Sequence, residues 1–465
     1  MTFAWTDSAV RTALGLRVEL AVDDLAYAGV STDSRTVAEG ELYVALTGDR
    51  FDGHDFVADA LARGARGAVV SQPVAGEGDA TLYPVDDTLV ALGRLAAYRR
   101  DALHAPVVGI TGSAGKTTTK DLTAAALGRA RRVHATAGNK NNRIGMPLTL
   151  LSAPDDAEVV VLEMGTNEPG EIAALAAVAR PDVGVVTTVG ESHLEKLGSL
   201  DGVLEEKLDL LRGLAEGGRC VVGDEPEVLA GAARRICPAV RVAGWSERAD
   251  EDLRPADAEM DHWGAWSFAW KGQRASLSIP GRHVVADALL ALAVADLVGV
   301  SAEDATAGLA DARAGAMRGE RRRIGDLTVL VDCYNANPPS VRAALDLLQT
   351  QTAARRVAVL GSMLELGTED ERLHREVLDD ALSRGLDLVV ATGRFADVAT
   401  GRSDPNLVSA GDWSDGYPAL RERLEGHEVV LLKASRGVAL EGVLPLLEQD
   451  FGQTQADEPA AGEDA

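Results

Sequence analysis

The stretch VVGITGSAGKTTTKD, from Val107 to Asp121, constrains the chain more than any other. An apolar strand runs into a turn with two glycines, and a helix starts on the Gly-Lys-Thr that closes the turn. A buried strand, a tight turn and a helix at this spacing form the βα unit of a parallel sheet. The backbone N–H groups of Gly112, Ser113, Ala114 and Gly115 converge where the helix begins, and together with the helix dipole they bind phosphate. Lys116 would reach the outer phosphates and the Thr117 hydroxyl would ligate Mg²⁺, with Thr118 beside it. The usual phosphate loop, however, has a first glycine four residues before its Gly-Lys pair. Counting back from Gly115 puts Ile110 there. Two readings stay open: a nucleotide site of a different build, or a glycine-rich turn with a capping threonine.

The surroundings repeat the unit. AEVVVLEMG, DVGVVTTVG and RCVVGDE alternate with helical stretches, and a third set of strands follows in LTVLVDCYN, RRVAVLG, LDLVVATG and HEVVLLKAS. The fold class is α/β. Three sections are expected: 1–103, a small α/β section; 104–314, a central parallel sheet carrying the phosphate loop; and 315–452, a Rossmann-like section. An acidic, disordered tail, 453–465, follows. With 465 residues, 46 % of them apolar and 25 % charged, the chain is long enough for separate cores. Its net charge of -26 argues against a nucleic-acid backbone or an anionic membrane as partner. Cys220, Cys237 and Cys333 show no metal-ligand spacing and read as free thiols. No signal peptide or membrane-spanning run is apparent, so the expected protein is cytoplasmic, and a monomer.

Several strand ends carry polar residues. Glu163 follows VVVL, where such sheets place their ligands and where a carboxylate suits Mg²⁺; an exposed strand-end glutamate is the plain alternative. His193 lies in VVTTVGESHLEKLGS, far in sequence from any other His or Cys. Lys207 in GVLEEKLDLL reads by itself as a helix-surface lysine. Asn139, Asn141 and Asn142 form a polar loop ahead of Gly145, or an ordinary turn. Asp332 ends a strand, and Asn335, Asn337 and Pro338 lead into a helix, which strand–turn–helix punctuation also explains. Arg436 in KASRG can meet an anion bidentately or lie on the surface.

Taken together, the ordered stretches STDSRTVAEGELYVALTGDRFDGHDF, GITGSAGKTTTKD, GNKNNRIGMPLTLL, EMGTNEPGEI, SHLEKLGS, DCYNANPPS, GSMLELGTEDERLH and KASRG resemble the Mur ligase family over almost the whole chain. The odd loop spacing is that family's own. The resemblance implies UDP-sugar-binding, ATP-binding and Rossmann-like ligase domains, and a cell-wall enzyme of peptidoglycan synthesis. ATP would activate the carboxylate of UDP-N-acetylmuramoyl-tripeptide as an acyl phosphate, which the amine of D-alanyl-D-alanine attacks. It also implies roles. Lys116, Glu163, His193 and Lys207 would be catalytic. Thr117 and Glu163 would hold one Mg²⁺; His193 would hold a second, with Lys207 once carboxylated by CO₂. Ser31, Asp33, Ser34 and Arg35 would touch the UDP-sugar. Asn139, Asn142, Asn337, Pro338 and Arg436 would contact substrate, and Asp287, Arg318, Asp332 and Asn335 would lie near ATP.

The chain departs from the family's pattern in places. Val284 and Asp287 stand where asparagines are usual, Ser362 where aspartate is common, and Cys333 where alanine is frequent, the last read as packing. Asp287 accepts but does not donate as an amide would, which puts adenine contacts there in question. Three other functions are weighed against the D-alanyl-D-alanine reaction. A third-residue-adding ligase of the family would carry Asp-Asn-Pro-Arg, which is absent. Folylpolyglutamate synthase shares the scaffold but is not expected to carry the DSR segment. An inactive nucleotide-binding scaffold is the reading from another class, against which the intact Lys116, Thr117, Glu163, His193 and Lys207 speak.

Overall fold

A computed structural model of the chain describes residues 3–18, 24–48, 50–74, 80–452 and 454–455. Each of the three sections builds its own sheet. In the first, Val30–Ser31, Leu42–Val44, Gly67–Val70 and Thr81–Pro84 form a four-stranded parallel sheet. The helix Thr88–Ala102, capped by the Asp87 carboxylate, leads out of it. Its Ala96 is buried with Leu150, Ile172 and Leu175 of the middle section. Arg99, buried in spite of its charge, donates to the Ala153 carbonyl at 2.6 Å and to Asp155 at 2.7 Å.

The middle sheet runs Arg241–Ala243, Arg219–Gly223, Val183–Val186, Val107–Thr111, Val159–Glu163, Val133–Ala135, all parallel. The β-branched strands are buried on both faces, as a parallel sheet covered by helices requires. The central strand Val107–Thr111 has later strands on each side, so the crevice at its carboxyl end is the switch point at which such sheets bind ligands. Register sets what meets there: Ile110 is opposite Glu163 and Thr111 is opposite Val186.

The expected parallel sheet does not account for the whole of 104–314. Ala256–Met260, Ala265–Trp270 and Gln273–Pro280 form a separate antiparallel sheet. Its last strand alternates, burying Ala275, Leu277 and Ile279. Its first strand, ADAEM, alternates in sequence but is mostly exposed and built chiefly from alanine and acidic residues, poor strand formers, so the signal is weak before the fold is seen.

The third sheet is ordered Leu407–Ala410, Leu388–Thr392, Arg356–Leu360, Val429–Lys433, Leu327–Asp332, Glu320–Ile324, Thr454–Gln455. Its first five strands are parallel and the last two antiparallel. The tail, expected to be disordered from 453, thus contributes Thr454–Gln455 as an edge strand; residues 456–465 lie outside the described residues. Cys333 packs in the core, as expected.

The middle and third sections share a core. Leu194 and Leu197 pack into the cluster that holds Ala336, Val341 and Leu366. The Asn337 amide donates to the Ser113 carbonyl at 3.2 Å. Gly190 faces Pro339 so closely that a Cβ would lie 2.6 Å from the ring Cγ. Gly190→Ala should therefore force the two sections apart locally while each keeps its own core. Amide hydrogen exchange should show faster exchange at 188–193 and 335–341, with the strands Val159–Glu163 and Val429–Lys433 unchanged.

Candidate active site

The phosphate-loop turn depends on two left-handed glycines. Gly112 has φ 152° and Gly115 has φ 79°. At Gly112 a Cβ would lie 1.9 Å from the Thr187 hydroxyl, and at Gly115 it would lie 2.4 Å from an Asp287 carboxyl oxygen. Only glycine fits either place. The helix Lys116–Gly128 starts directly after, so its first N–H groups face the turn. Ser113 anchors the loop. Its N–H donates to the Thr188 carbonyl at 2.8 Å, its hydroxyl to the Gly190 carbonyl at 2.9 Å, and Ser192 donates back to that hydroxyl at 2.9 Å.

A cavity of about 640 Å³ opens over this turn, between the carboxyl ends of the middle and third sheets. Lys116, Thr117, Glu163, His193, Asp287, Arg318, Asp332, Asn335 and Asn337 all line it. The sequence-identified residues from two sections thus meet in one place. Lys116 donates to the Gly112 carbonyl at 2.6 Å. Enclosure lowers its pKa, Glu163 opposes the shift, and Arg318 adds to it. Glu163 accepts from the Asn141 amide at 2.7 Å through Oε1, while its buried Oε2 has no partner. An unsatisfied carboxylate oxygen in a cavity that Thr117 also lines suits a hard cation that takes one or two carboxylates and completes its shell with phosphate and water. Among the described residues no three His, Cys, Asp or Glu side chains cluster as a self-sufficient metal cage.

Lys207 overturns its plain reading. It is fully buried on the helix Leu200–Arg212, not on its surface, and Nζ has no hydrogen-bond partner. Burial drives its pKa well below the usual lysine value, and Lys116 lowers it further. Its neighbour Glu206 is also buried and accepts from the Gly170 and Ile172 N–H groups at 2.7 and 2.8 Å, capping the helix Glu171–Ala179. His193 donates from Nδ1 to Glu365 Oε2 at 2.5 Å.

Other expected residues lie differently. Among the described residues, nothing before Ser113 lines the cavity, so Ser31, Asp33, Ser34 and Arg35 stand apart from it. Asp33 accepts from the Arg35 guanidinium at 2.7 and 2.9 Å, and this pair holds its carboxyl down at about 2. In the asparagine loop, Asn141 reaches Glu163. Asn142 lines the cavity while capping Gly145, and Asn139 does not line it. Pro338 is the first residue of the helix Pro338–Thr350, whose Asn337 and Ser340 form a reciprocal cap. Arg436 pairs with Glu441 outside the cavity. Thr118 lines the cavity, and Arg318 stacks on the Tyr334 ring at 3.8 Å.

Sequence reasoning overlooked Lys433. It is buried, pairs with Asp332 at 3.0 Å, donates to the Asn335 carbonyl at 2.6 Å and lines the cavity. Parallel register sets Asp332 opposite Lys433. The lysine ends its strand just as Glu163 ends another, and that was the available signal.

Of the departures from the family's pattern, Val284 is core. Ser362 accepts from the Arg394 N–H at 2.9 Å. Asp287 is buried on the helix Arg282–Leu297, accepts from the Thr119 hydroxyl at 3.0 Å, and is pushed up to about 8 by burial. A carboxyl that stays protonated at neutral pH does carry a donor, so it resembles the amide more than its charge suggests.

The Mur ligase middle domain matches residues 110–295, the Mur ligase glutamate ligase domain 317–436, and the catalytic domain of the Mur ligase family 26–100. The chain belongs to the Mur ligase family. Among its relatives is the UDP-N-acetylmuramoyl-tripeptide–D-alanyl-D-alanine ligase of Bacillus subtilis, 37 % identical over 90 % of this chain and 92 % of that one. The Escherichia coli protein of the same name is 35 % identical over 94 % and 97 %. Among solved structures, MurF from Acinetobacter baumannii superposes with a TM-score of 0.88 at 29 % identity, covering 96 % of this chain and 99 % of that one. The MurF ligase of Thermotoga maritima in complex with ADP superposes at 0.81 and 28 % identity, covering 91 % and 97 %.

The burial of Asp287 has a pH signature. Its folded pKa lies above the unfolded carboxyl value of 3.8, so the folded state holds a proton that the unfolded state releases. Its contribution therefore erodes as pH rises from the unfolded value to the folded one, and is constant above it. Asp287→Asn should remove that erosion. Thermal melts from pH 5 to 8.5 should show the variant gaining on the wild type as pH rises, by several kcal/mol at most. Parallel curves would mean Asp287 is not protonated in the fold.

Proposed function

We infer that the protein is an ATP-dependent ligase that joins D-alanyl-D-alanine to UDP-N-acetylmuramoyl-tripeptide, giving the pentapeptide precursor of peptidoglycan. The observation that carries this reading is the single cavity in which the phosphate loop, Glu163, His193 and the Asn335–Asn337 segment meet, in a chain whose full-length relatives bear that enzyme's name. We divide the chain into a UDP-sugar domain, 1–103, an ATP domain, 104–314, and a ligase domain, 315–452. The protein would act in the cytoplasm as a monomer. No helix of the described residues is long and apolar enough to cross a membrane.

The chemistry must bring a carboxylate and a triphosphate together, two anions that repel. The loop N–H groups and Lys116 hold the β- and γ-phosphates and offset their charge. The substrate carboxylate attacks the γ-phosphorus, and ADP leaves. The amine of D-alanyl-D-alanine then attacks the acyl carbon, phosphate departs, and the amine's proton passes to solvent. Asn335 and Asn337, in the third section between a strand and a helix, would lie near the nucleotide and the incoming amine, with Asp332 and its partner Lys433 near ATP. Ser31, Asp33, Ser34 and Arg35 would bind the uridine nucleotide away from the reacting atoms. Closure of the domains keeps water from the acyl phosphate. The residues fit Mg²⁺: Thr117 and the unpartnered Glu163 Oε2 would hold one ion, and His193 with Lys207 a second. When bound, Mg²⁺ supplies charge neutralisation at the transferring phosphoryl group.

A neutral buried amine is the form that adds to CO₂. The nitrogen lone pair would bond to carbon, a proton would leave, and the carbamate would give Lys207 two oxygens able to bind a cation. Native mass spectrometry in bicarbonate buffer should find the mass of one CO₂ on the wild type and none on Lys207→Met. An unmodified, fully active wild type would refute it.

The decisive assay is phosphate release from ATP with Mg²⁺, the UDP-muramoyl-tripeptide and D-alanyl-D-alanine, each omitted in turn. Release should require both substrates and yield the pentapeptide, and Lys116→Ala should lower kcat by about 10²-fold or more while the protein stays folded. Release with another amine would reassign the acceptor. ATP binding without release would favour the scaffold.

A further inference from the structure

His193 and Glu365 meet across two sheets, and neither has an ordinary backbone. His193 precedes the short helix Leu194–Leu197 with φ 53°, and Glu365, beyond the strand Arg356–Leu360, has φ 65°. Non-glycine residues in the left-handed region are held there by their surroundings, at about 1 kcal/mol or more each. Here the surroundings are visible. The Glu195 N–H donates to the Glu365 carbonyl at 3.2 Å. Gly367 lies so close that a Cβ would come 2.8 Å from the Glu195 Cα. Leu194, Leu197 and Leu366 are buried in one cluster. The hydrogen bond from His193 Nδ1 to Glu365 Oε2 is the polar end of this docked seam.

That bond decides which ring nitrogen keeps a lone pair. A carboxylate accepts only, so the proton sits on Nδ1 and Nε2 is left as the donor atom for a cation. His193 lines the cavity, and among the described residues Nε2 has no hydrogen-bond partner. A carboxylate behind an imidazole is how metal-ligating histidines are generally oriented. The Glu365 side chain is 53 % exposed, so the ion pair itself adds little stability. Its effect lies in orientation.

We propose that Glu365 is a positioning residue: supplied by the third sheet, it turns His193 so that the second divalent cation is held only when that sheet is docked on the middle one. The inference rests on His193 as a metal ligand and adds the group that aims it. It makes cation binding a report of docking, because the ligand and its orienting carboxylate come from opposite sides of the seam.

The test uses Mn²⁺ as the probe, counted by spin resonance on the full chain with ADP present. The wild type should hold two ions. Glu365→Ala should weaken the second site by about 10–100-fold and leave the first unchanged. Glu365→Gln, whose amide oxygen still accepts from Nδ1, should recover part of the loss, and His193→Ala should abolish the second site. Loss of the site in His193→Ala with wild-type binding in both Glu365 variants would overturn the proposal and spare the ligand role. Two intact sites in His193→Ala would overturn both. Should Glu365→Ala fail to fold, the Glu365→Gln titration decides alone, with wild-type affinity at the second site counting against the proposal.

Discussion

The structure turns on charge enclosed without enough partners. Lys116 and Glu163 face one cavity, Lys207 is buried beside them, and neither Lys207 Nζ nor Glu163 Oε2 has a hydrogen bond. Burying such groups costs free energy that well-packed apolar residues would not. On the proposed function, ligands would complete the set: phosphate oxygens for Lys116, a cation for Glu163 and CO₂ for Lys207.

Ser113 is the mechanical counterpart. Its backbone and hydroxyl tie the phosphate loop to the strand end at Thr188 and Gly190, and its carbonyl takes the Asn337 amide from the third section. The phosphate loop is thereby joined to the Asn335–Asn337 segment of the third section. Gly190 against Pro339 and His193 against Glu365 extend the same seam. A sheet edge on each side of the cavity keeps these groups on rigid strand ends, while the seam between the two sections combines polar contacts with a shared apolar cluster.

Much of this was legible beforehand. The strand–glycine–helix pattern located the loop, and apolar strands followed by Glu163 and Asp332 located the edge, because parallel sheets put all their carboxyl ends on one side. Lys433 was passed over because a lysine after VVLL reads as a strand terminus until the partner strand supplies Asp332. Lys207 read as surface because EEKLDLL is amphipathic and only packing shows which stripe faces inward. The antiparallel sheet was missed because ADAEM alternates mostly through alanine and acidic residues, which are depleted in strands.

By itself the sequence determined the family, the order of the sections and the chemistry available, since these follow from local pattern and side-chain type. The tertiary structure decided protonation and partnership: that Lys207 is a buried amine, that Asp287 keeps its proton, that His193 is aimed by Glu365. Those properties depend on desolvation and on neighbours far away along the chain, 172 residues for His193 and Glu365 and 168 for Asp287 and Thr119. No local window of sequence contains them.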